Sequence, residues 1–281
     1  MKSAKDVLLR KQVAKLEREL PIIGVLGLPG IGKSETSKAI SKILDREKLS
    51  VDPLLVMRLK TETGFTPKEY MDVYGEEAFR KWEKTALMNN FKVEQNSVLD
   101  FGGFGSFDIG YESLFDKMKE NGVYTVFLDN DFGITISHLK KWNNEAVNPL
   151  TGEKGYHDWA VRPGYVAAAL KGLEDGKNID HGWMERHKNA LARKDFIYKH
   201  ASHTLDLGNI DWTAENVAKM VIMATAKNCL ENTEQYKDLF NEWKQQISSQ
   251  EKQVIGSVEK VLSSPAKNLA VSVTKTDIGR R

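Results

Sequence analysis

The sequence predicts an α/β protein: a central parallel sheet of about five strands, covered by helices on both faces and carrying helical extensions at both ends. Three observations carry this reading. Short apolar runs alternate with longer amphipathic stretches of helical period, the order that builds parallel sheets. A glycine-rich loop joins the first apolar run directly to a helical stretch. With 281 residues, 41% of them hydrophobic and 28% charged, the chain has an ordinary globular composition and enough length to bury a sizeable core.

The elements follow in order. Residues 5–20 set Val7, Leu9, Val13, Leu16 and Leu20 on one stripe among charges, which predicts a helix packed on the domain surface. Residues 22–26 are apolar throughout and read as a buried strand. Residues 35–47 carry Ile40, Ile43 and Leu44 at helical spacing. Residues 51–57 are apolar and read as a second strand that includes Pro53. Thr66-Pro67 marks a helix start with proline at the first position, and an amphipathic helix is predicted over 76–90. A strand over 97–100 ends before Gly102-Gly103, a helix covers 111–121, and 123–128 is the clearest strand.

Residues 141–164 hold Pro149, Gly152, Gly155, Pro163 and Gly164 and read as a long, lid-like loop. Residues 183–201 read as a basic helix, 204–207 as a weak last strand and 213–227 as a helix. Beyond residue 230, Tyr236, Leu239, Phe240, Trp243 and Ile247 are spaced for one more helix, and from about 263 the composition is that of a disordered tail. The expected organisation is a helical extension over 1–20, a main domain over 21–228, and a C-terminal helix and tail over 229–281.

The 41 basic and 39 acidic residues leave a net charge of +2 and no broad basic footprint, so no nucleic-acid partner is expected. Cys229 is the only cysteine, which excludes an internal disulfide and a cysteine-based zinc cluster. The first twenty residues are charged throughout, and no run is apolar enough to span a bilayer. A cytoplasmic protein without a membrane partner is expected.

Gly27-Leu28-Pro29-Gly30-Ile31-Gly32-Lys33-Ser34 is Gly, four residues, Gly-Lys-Ser, set between a strand and a helix. Phosphate chemistry needs this pattern. Glycines let the backbone curl around phosphate oxygens, and the amides and helix N-terminus favour negative charge. Lys33 is placed for the β- and γ-phosphates and Ser34 for Mg²⁺. With Glu35 these residues form the candidate nucleotide site, in a P-loop, nucleoside-kinase-like, three-layer fold. No Asn-Lys-x-Asp string follows any strand, which points to ATP over GTP. Asp100 ends a short strand expected beside the loop, where an aspartate can hold Mg²⁺ through water. Asp129 and Asp131 end the next strand and are less central.

From residue 22 to residue 222 the sequence resembles the shikimate kinase family. Pro29-Gly30-Ile31-Gly32-Lys33-Ser34 matches the family's loop. Thr63-Gly64, then Gly75-Glu76-Glu77-Ala78-Phe79-Arg80-Lys81-Trp82-Glu83, is similar to its Thr-Gly and Gly-Glu-x-x-Phe-Arg-x-x-Glu stretches. Gly102-Gly103 resembles its triple glycine, Arg162-Pro163 the Arg-Pro of its lid, and Tyr198-Lys199 with Leu205-Asp206 its late helix and last strand. The resemblance implies ATP-dependent phosphorylation of a small carboxylated acceptor with Mg²⁺. It implies Lys33 and Arg162 as catalytic groups beside Asp100, Arg162 as the lid arginine on the nucleotide, and Arg80, Gly102, Gly103 and Lys199 on the acceptor, with Asp52 the nearest carboxylate to that side. Arg80 would hold a carboxylate with its planar fork; a helix-surface pair with Glu83 or Glu77 is the alternative.

The sequence departs from the family on the acceptor side. The family's Asp-x-Asp positions, counted back from Thr63-Gly64, fall on Leu54 and Val56, and Asp52 would need a two-residue shift. Phe104 replaces the third glycine, and the lid stretch holds Trp142, Tyr156, His157 and Trp159. Asp52 or His157 is left to supply a base. Two readings stay open: a kinase of shikimate or another hydroxylated acid, and a nucleotide-binding regulatory protein without acceptor phosphorylation. The terminal helices, foreign to the family, offer a surface for a protein partner.

Overall fold

The computed structural model describes residues 4–27, 30–90, 96–101, 112–130, 138, 196–208 and 210–263. Five strands form one parallel sheet: β1 (Ile22–Gly27), β2 (Glu47–Ser50), β3 (Ser97–Asp100), β4 (Val123–Asp129) and β5 (His203–Asp206), in the order β2-β3-β1-β4-β5. The helices are α1 (Ala4–Glu19), α2 (Lys33–Leu44), α3 (Val51–Thr63), α4 (Pro67–Tyr74), α5 (Glu76–Asn90), α6 (Glu112–Glu120), α7 (Ala214–Cys229) and α8 (Lys237–Ser263). A further helical stretch covers 196–200, and a single 3₁₀ turn, Glu234–Tyr236, precedes α8.

Strand alternation explains the layering. Successive side chains leave a strand on opposite faces. Ile23 and Val25 of β1 join Ile40, Leu44, Val126, Leu128, Val221 and Ile222 on one face. Ile22 and Leu26 join Leu99, Phe101, Phe127, Leu114 and Met118 on the other. Each fully buried side chain of this size contributes roughly 1.5–3 kcal/mol of transfer free energy. Gly24, between them in β1, leaves room for Phe101: a Cβ there would lie 2.8 Å from Phe101 Cε2.

Most predicted elements appear close to their predicted bounds, α5 with the same ones. The second strand is a correction. Residues 51–57 are the start of α3, and β2 is the four residues before it. Val51, Leu55 and Leu59 are the buried residues of α3, a four-residue spacing that belongs to a helix. Pro53 sits in the first turn, where the missing amide costs no intrahelical bond. The predicted helix over 35–47 also ends sooner. Asp45 takes a left-handed conformation (φ 49°) as the C-cap of α2, which releases Glu47 into β2. The expected loop over 141–164, most of the basic helix over 183–201, and the tail from 263 on lie outside the described residues.

Both terminal helices belong to the core. Leu16 and Leu20 from the N-terminal end and Tyr236, Leu239 and Trp243 from the C-terminal end share one cluster with α2, α7 and the sheet. Gln12 ties the two ends together, donating to the Gln235 carbonyl at 2.7 Å and accepting from the Leu239 amide at 3.1 Å.

Candidate active site

The glycine-rich loop leaves the carboxyl end of β1, the middle strand of the sheet. Its geometry depends on glycine at two points. A Cβ on Gly27 would lie 2.7 Å from Ile31 Cγ2 and 3.1 Å from the Leu128 carbonyl oxygen. Gly32 caps α2 with φ 90°, a region that favours glycine, and itself offers no side chain to cap the helix. A helix N-terminus of this kind prefers an anion.

Lys33 opens α2 and is buried, at 5% exposure. Burial pulls its ammonium from an ordinary 10.5 down to about 8, against the opposing effects of the Asp100 and then the Asp52 carboxylates. The structure thus brings three predicted site residues together. Asp100 ends β3 opposite Val25 of β1, and its 2% exposure makes it a buried carboxylate. Asp52, in the first turn of α3, acts on Lys33 only electrostatically and less than Asp100 does. Asp52, two residues before the counted position Leu54, lies in the first turn of α3. Leu54, at a counted family position, is 54% exposed.

Two residues near Asp100 escaped the sequence reading. Lys48 Nζ lies 2.9 Å from Asp100 Oδ2, and Ser50 Oγ donates to the same oxygen at 3.5 Å. They stand two apart on β2 and so share a face of the sheet. The only signal in the sequence is that i, i+2 pair in a stretch not recognised as a strand.

Arg80 lies on α5, partly buried. Its Nη1 is 3.0 Å from Glu83 Oε2, and the guanidinium sits 5.3 Å from the centre of the Phe79 ring. The alternative pairing with Glu83 is thus present, but the pair is largely buried and does not lie on a solvated helix face. Lys199 is a correction of position. It is exposed, in the helical stretch that runs into β5. It lines a cavity with Glu17, Arg46, Asn121 and Ser202, at the end of the sheet where the strands begin. The phosphate loop is at the end where they finish. Leu28, Pro29, Gly102, Gly103, Asp131, His157 and Arg162 lie outside the described residues.

Mg²⁺ takes hard oxygen ligands and keeps several waters, so few protein donors are needed. The exposed Ser34 hydroxyl at the second residue of α2 and the Asp100 carboxylate at the strand end are donors of that kind. Among the described residues there is no cluster of three or more His, Cys, Asp or Glu side chains, and no helix long and apolar enough to cross a membrane.

A phosphate loop at the carboxyl edge of a five-stranded parallel sheet, with a buried aspartate ending the neighbouring strand, defines a P-loop phosphotransferase. The chain belongs to the shikimate kinase family. The shikimate kinase family model matches residues 29–162. A shikimate kinase of Clostridium botulinum is 36% identical over 128 residues, 46% of this chain and 69% of that protein. One of Caldanaerobacter subterraneus subsp. tengcongensis is 23% identical over 205 residues, 73% of this chain and 96% of the other. The solved shikimate kinase of Acinetobacter baumannii, in complex with shikimate, aligns with a TM-score of 0.52 at 18% identity, over 78% of this chain and 99% of that one. That likeness shows the shared fold. The chain is an ATP- and Mg²⁺-dependent small-molecule kinase, and membership in the family supports the kinase reading over the regulatory one.

Proposed function

We propose that this kinase transfers the γ-phosphoryl group of ATP to a hydroxyl of shikimate or of a closely similar hydroxylated carboxylate. The observation that carries the reading is Lys33, buried at the mouth of the phosphate loop with Asp100 and Asp52 acting on it from two neighbouring elements. A buried cation at the donor loop, under the influence of two carboxylates, suits a reaction that needs positioning and charge neutralisation more than covalent chemistry.

The roles follow from position. The loop from Gly27 to Ser34, with Glu35, takes the triphosphate. Lys33 neutralises charge on its β- and γ-oxygens. Ser34 and Asp100 hold Mg²⁺, which supplies further neutralisation of the phosphates when bound. Asp52 accepts the proton of the acceptor hydroxyl as that oxygen bonds to phosphorus and the bond to the β-phosphate oxygen breaks, with ADP leaving. In this way Asp52 does the work for which Leu54 and Val56 are unsuited. Arg80 keeps the role that the family resemblance implies, a guanidinium for the acceptor carboxylate. Arg162, Gly102 and Gly103 keep the roles that the family resemblance implies, as lid arginine and acceptor-pocket backbone. Lys199, at the opposite edge of the sheet, has none here. A cytoplasmic location agrees with this chemistry. A protein partner on the terminal helices is not part of the proposal, because Leu16, Leu20, Tyr236, Leu239 and Trp243 are buried within the chain.

The test is ADP release from Mg-ATP with a panel of hydroxylated carboxylates that includes shikimate. Release that rises and saturates with shikimate supports the proposal. Saturation only with another acid corrects the acceptor, and ATP binding without acceptor-dependent release by any of them overturns it.

A further inference from the structure

His138 sits between two oxygens that can only accept. Its Nδ1 is 3.1 Å from the carbonyl oxygen of Gly30, in the middle of the phosphate loop. Its Nε2 is 2.8 Å from Asp211 Oδ1. The Gly30 carbonyl can only accept, so that contact takes a hydrogen from the ring, and Asp211 faces the other ring nitrogen. Holding the Gly30 carbonyl has a consequence for the loop. The carbonyl of one residue and the amide of the next point to opposite sides of a trans peptide. With the Gly30 oxygen turned to His138, the Ile31 N–H is turned away from it. Gly30 itself has φ 85°, so this peptide depends on an outside contact and a glycine to keep its orientation.

Asp211 is in turn held by the C-terminal helix. Gln250 of α8 donates from Nε2 to the Asp211 carbonyl at 3.0 Å. Its Oε1 accepts from the Asn216 side-chain amide at 2.6 Å, and from the Thr213 amide and hydroxyl, both at 3.2 Å. Thr213 is the N-cap of α7, its hydroxyl accepting from the Asn216 amide. One glutamine therefore fastens the whole approach to α7 and, through Asp211 and His138, reaches the phosphate loop. None of these residues lies in the stretch that matches the family model except His138 and the loop itself.

We propose that His138 is a positioning residue of the nucleotide site, and that α8 sets nucleotide affinity through Gln250, Asp211 and His138. The C-terminal helix is then a brace for the phosphate loop as well as a piece of core. The inference rests on the reading of that loop as the ATP site.

The test is ATP affinity by titration calorimetry on the full chain, with steady-state KM for ATP and for the acceptor beside it. His138→Ala and Gln250→Ala should each weaken ATP binding about three- to tenfold, the worth of one or two hydrogen bonds, with acceptor KM unchanged. The double variant should be no weaker than His138→Ala, because the two act in series. Asp211→Ala, at an exposed side chain, tests the same chain without disturbing α8, and His138→Gln, which keeps an amide donor, should recover part of the loss. Unchanged ATP affinity in both His138→Ala and Asp211→Ala overturns the inference, as does full additivity of His138→Ala and Gln250→Ala. Lys33→Ala separates the two readings: if it abolishes ATP binding while His138→Ala has no effect, only the brace is wrong. If Lys33→Ala binds ATP normally, the site reading falls and the brace with it.

Discussion

Lys48 Nζ stands 2.9 Å from Asp100 Oδ2, so a lysine on the edge strand holds the carboxylate next to the phosphate loop. The parallel pairing of Ser50 with Asp100 sets this arrangement, and alternation along β2 turns Lys48 and Ser50 to one face. Asp100 is buried, and a buried carboxylate is stable as an anion only while it has partners. Lys48→Met should therefore lower the unfolding free energy by about 1–3 kcal/mol, less than for a fully buried pair because Lys48 is partly solvated. The check is a shift in denaturant midpoint at constant slope. In a cycle with Asp100→Asn, the double variant should lose less than the sum of the single losses; additive losses would show that the contact couples nothing.

The depressed Lys33 predicts a pH dependence of nucleotide binding. In the free protein its ammonium titrates at about 8, with burial as the main cause. A bound triphosphate favours the ammonium, so binding takes up a proton once the pH exceeds that value. ATP affinity should then be level below pH 8 and fall by up to about tenfold per pH unit above it. Stability moves the other way. Between about 8 and 10.5 the unfolded chain carries the Lys33 proton and the folded chain does not, so the cost of burying the charge is relieved as pH rises. Calorimetry in buffers of different ionisation enthalpy measures the proton uptake directly, and Lys33→Arg should remove it. Affinity that stays level from pH 7 to about 10 would contradict the assignment.

Gly27→Ala tests the loop's shape. The new Cβ would meet Ile31 Cγ2 at 2.7 Å and, on its other side, the Leu128 carbonyl oxygen of β4 at 3.1 Å. Ile31 can yield and backbone cannot, so the loop moves. The expected result is a loss of about 1–3 kcal/mol in stability and a larger loss in ATP affinity. Unchanged ATP binding would mean that the loop tolerates a shift at its first glycine.

How much of this was legible in the sequence depended on where each signal lay. β1 and β4 were readable because buried strands are rich in apolar residues over a whole run, and α4 because Thr66 and Glu69 form a local capping box with Pro67 at the first position. β2 was not, because an edge strand of four residues with Leu49 as its one apolar side chain has no run to find. Missing it also put Asp52 in a strand, whereas it lies in the first turn of α3 and acts electrostatically on Lys33. Lys48 and His138 act on residues far away in sequence, with no local pattern to mark them. Lys199 was misplaced because a motif match fixes order along the chain and says nothing of which edge of the sheet a residue occupies.

Asp52 and Leu54 compete for one role and can be separated. If Asp52 takes the acceptor's proton, Asp52→Asn should lower kcat by about 10²- to 10⁴-fold and leave ATP affinity nearly unchanged. Leu54→Asn, at an exposed position, should do little to either. The reverse pattern would show that the counted family position governs the acceptor site after all.

Removing 229–281 as a dispensable extension should not leave a stable kinase. Tyr236 is fully buried, its hydroxyl donates to the Glu19 carboxylate, and Leu239 and Trp243 are nearly as buried in the same cluster as Leu16, Val221 and Ala226. Tyr236→Ala alone opens a cavity worth about 3–5 kcal/mol, a large share of the roughly 5–15 kcal/mol that a domain has. Tyr236→Phe should cost only about 1–2 kcal/mol, because the ring stays and one hydrogen bond goes. Thermal unfolding orders the variants: Phe least affected, Ala strongly, truncation before residue 234 most. If the truncated chain unfolds at the temperature of the full one, the cluster is an added layer and not the core, and α8 would then owe its place to the nucleotide site alone.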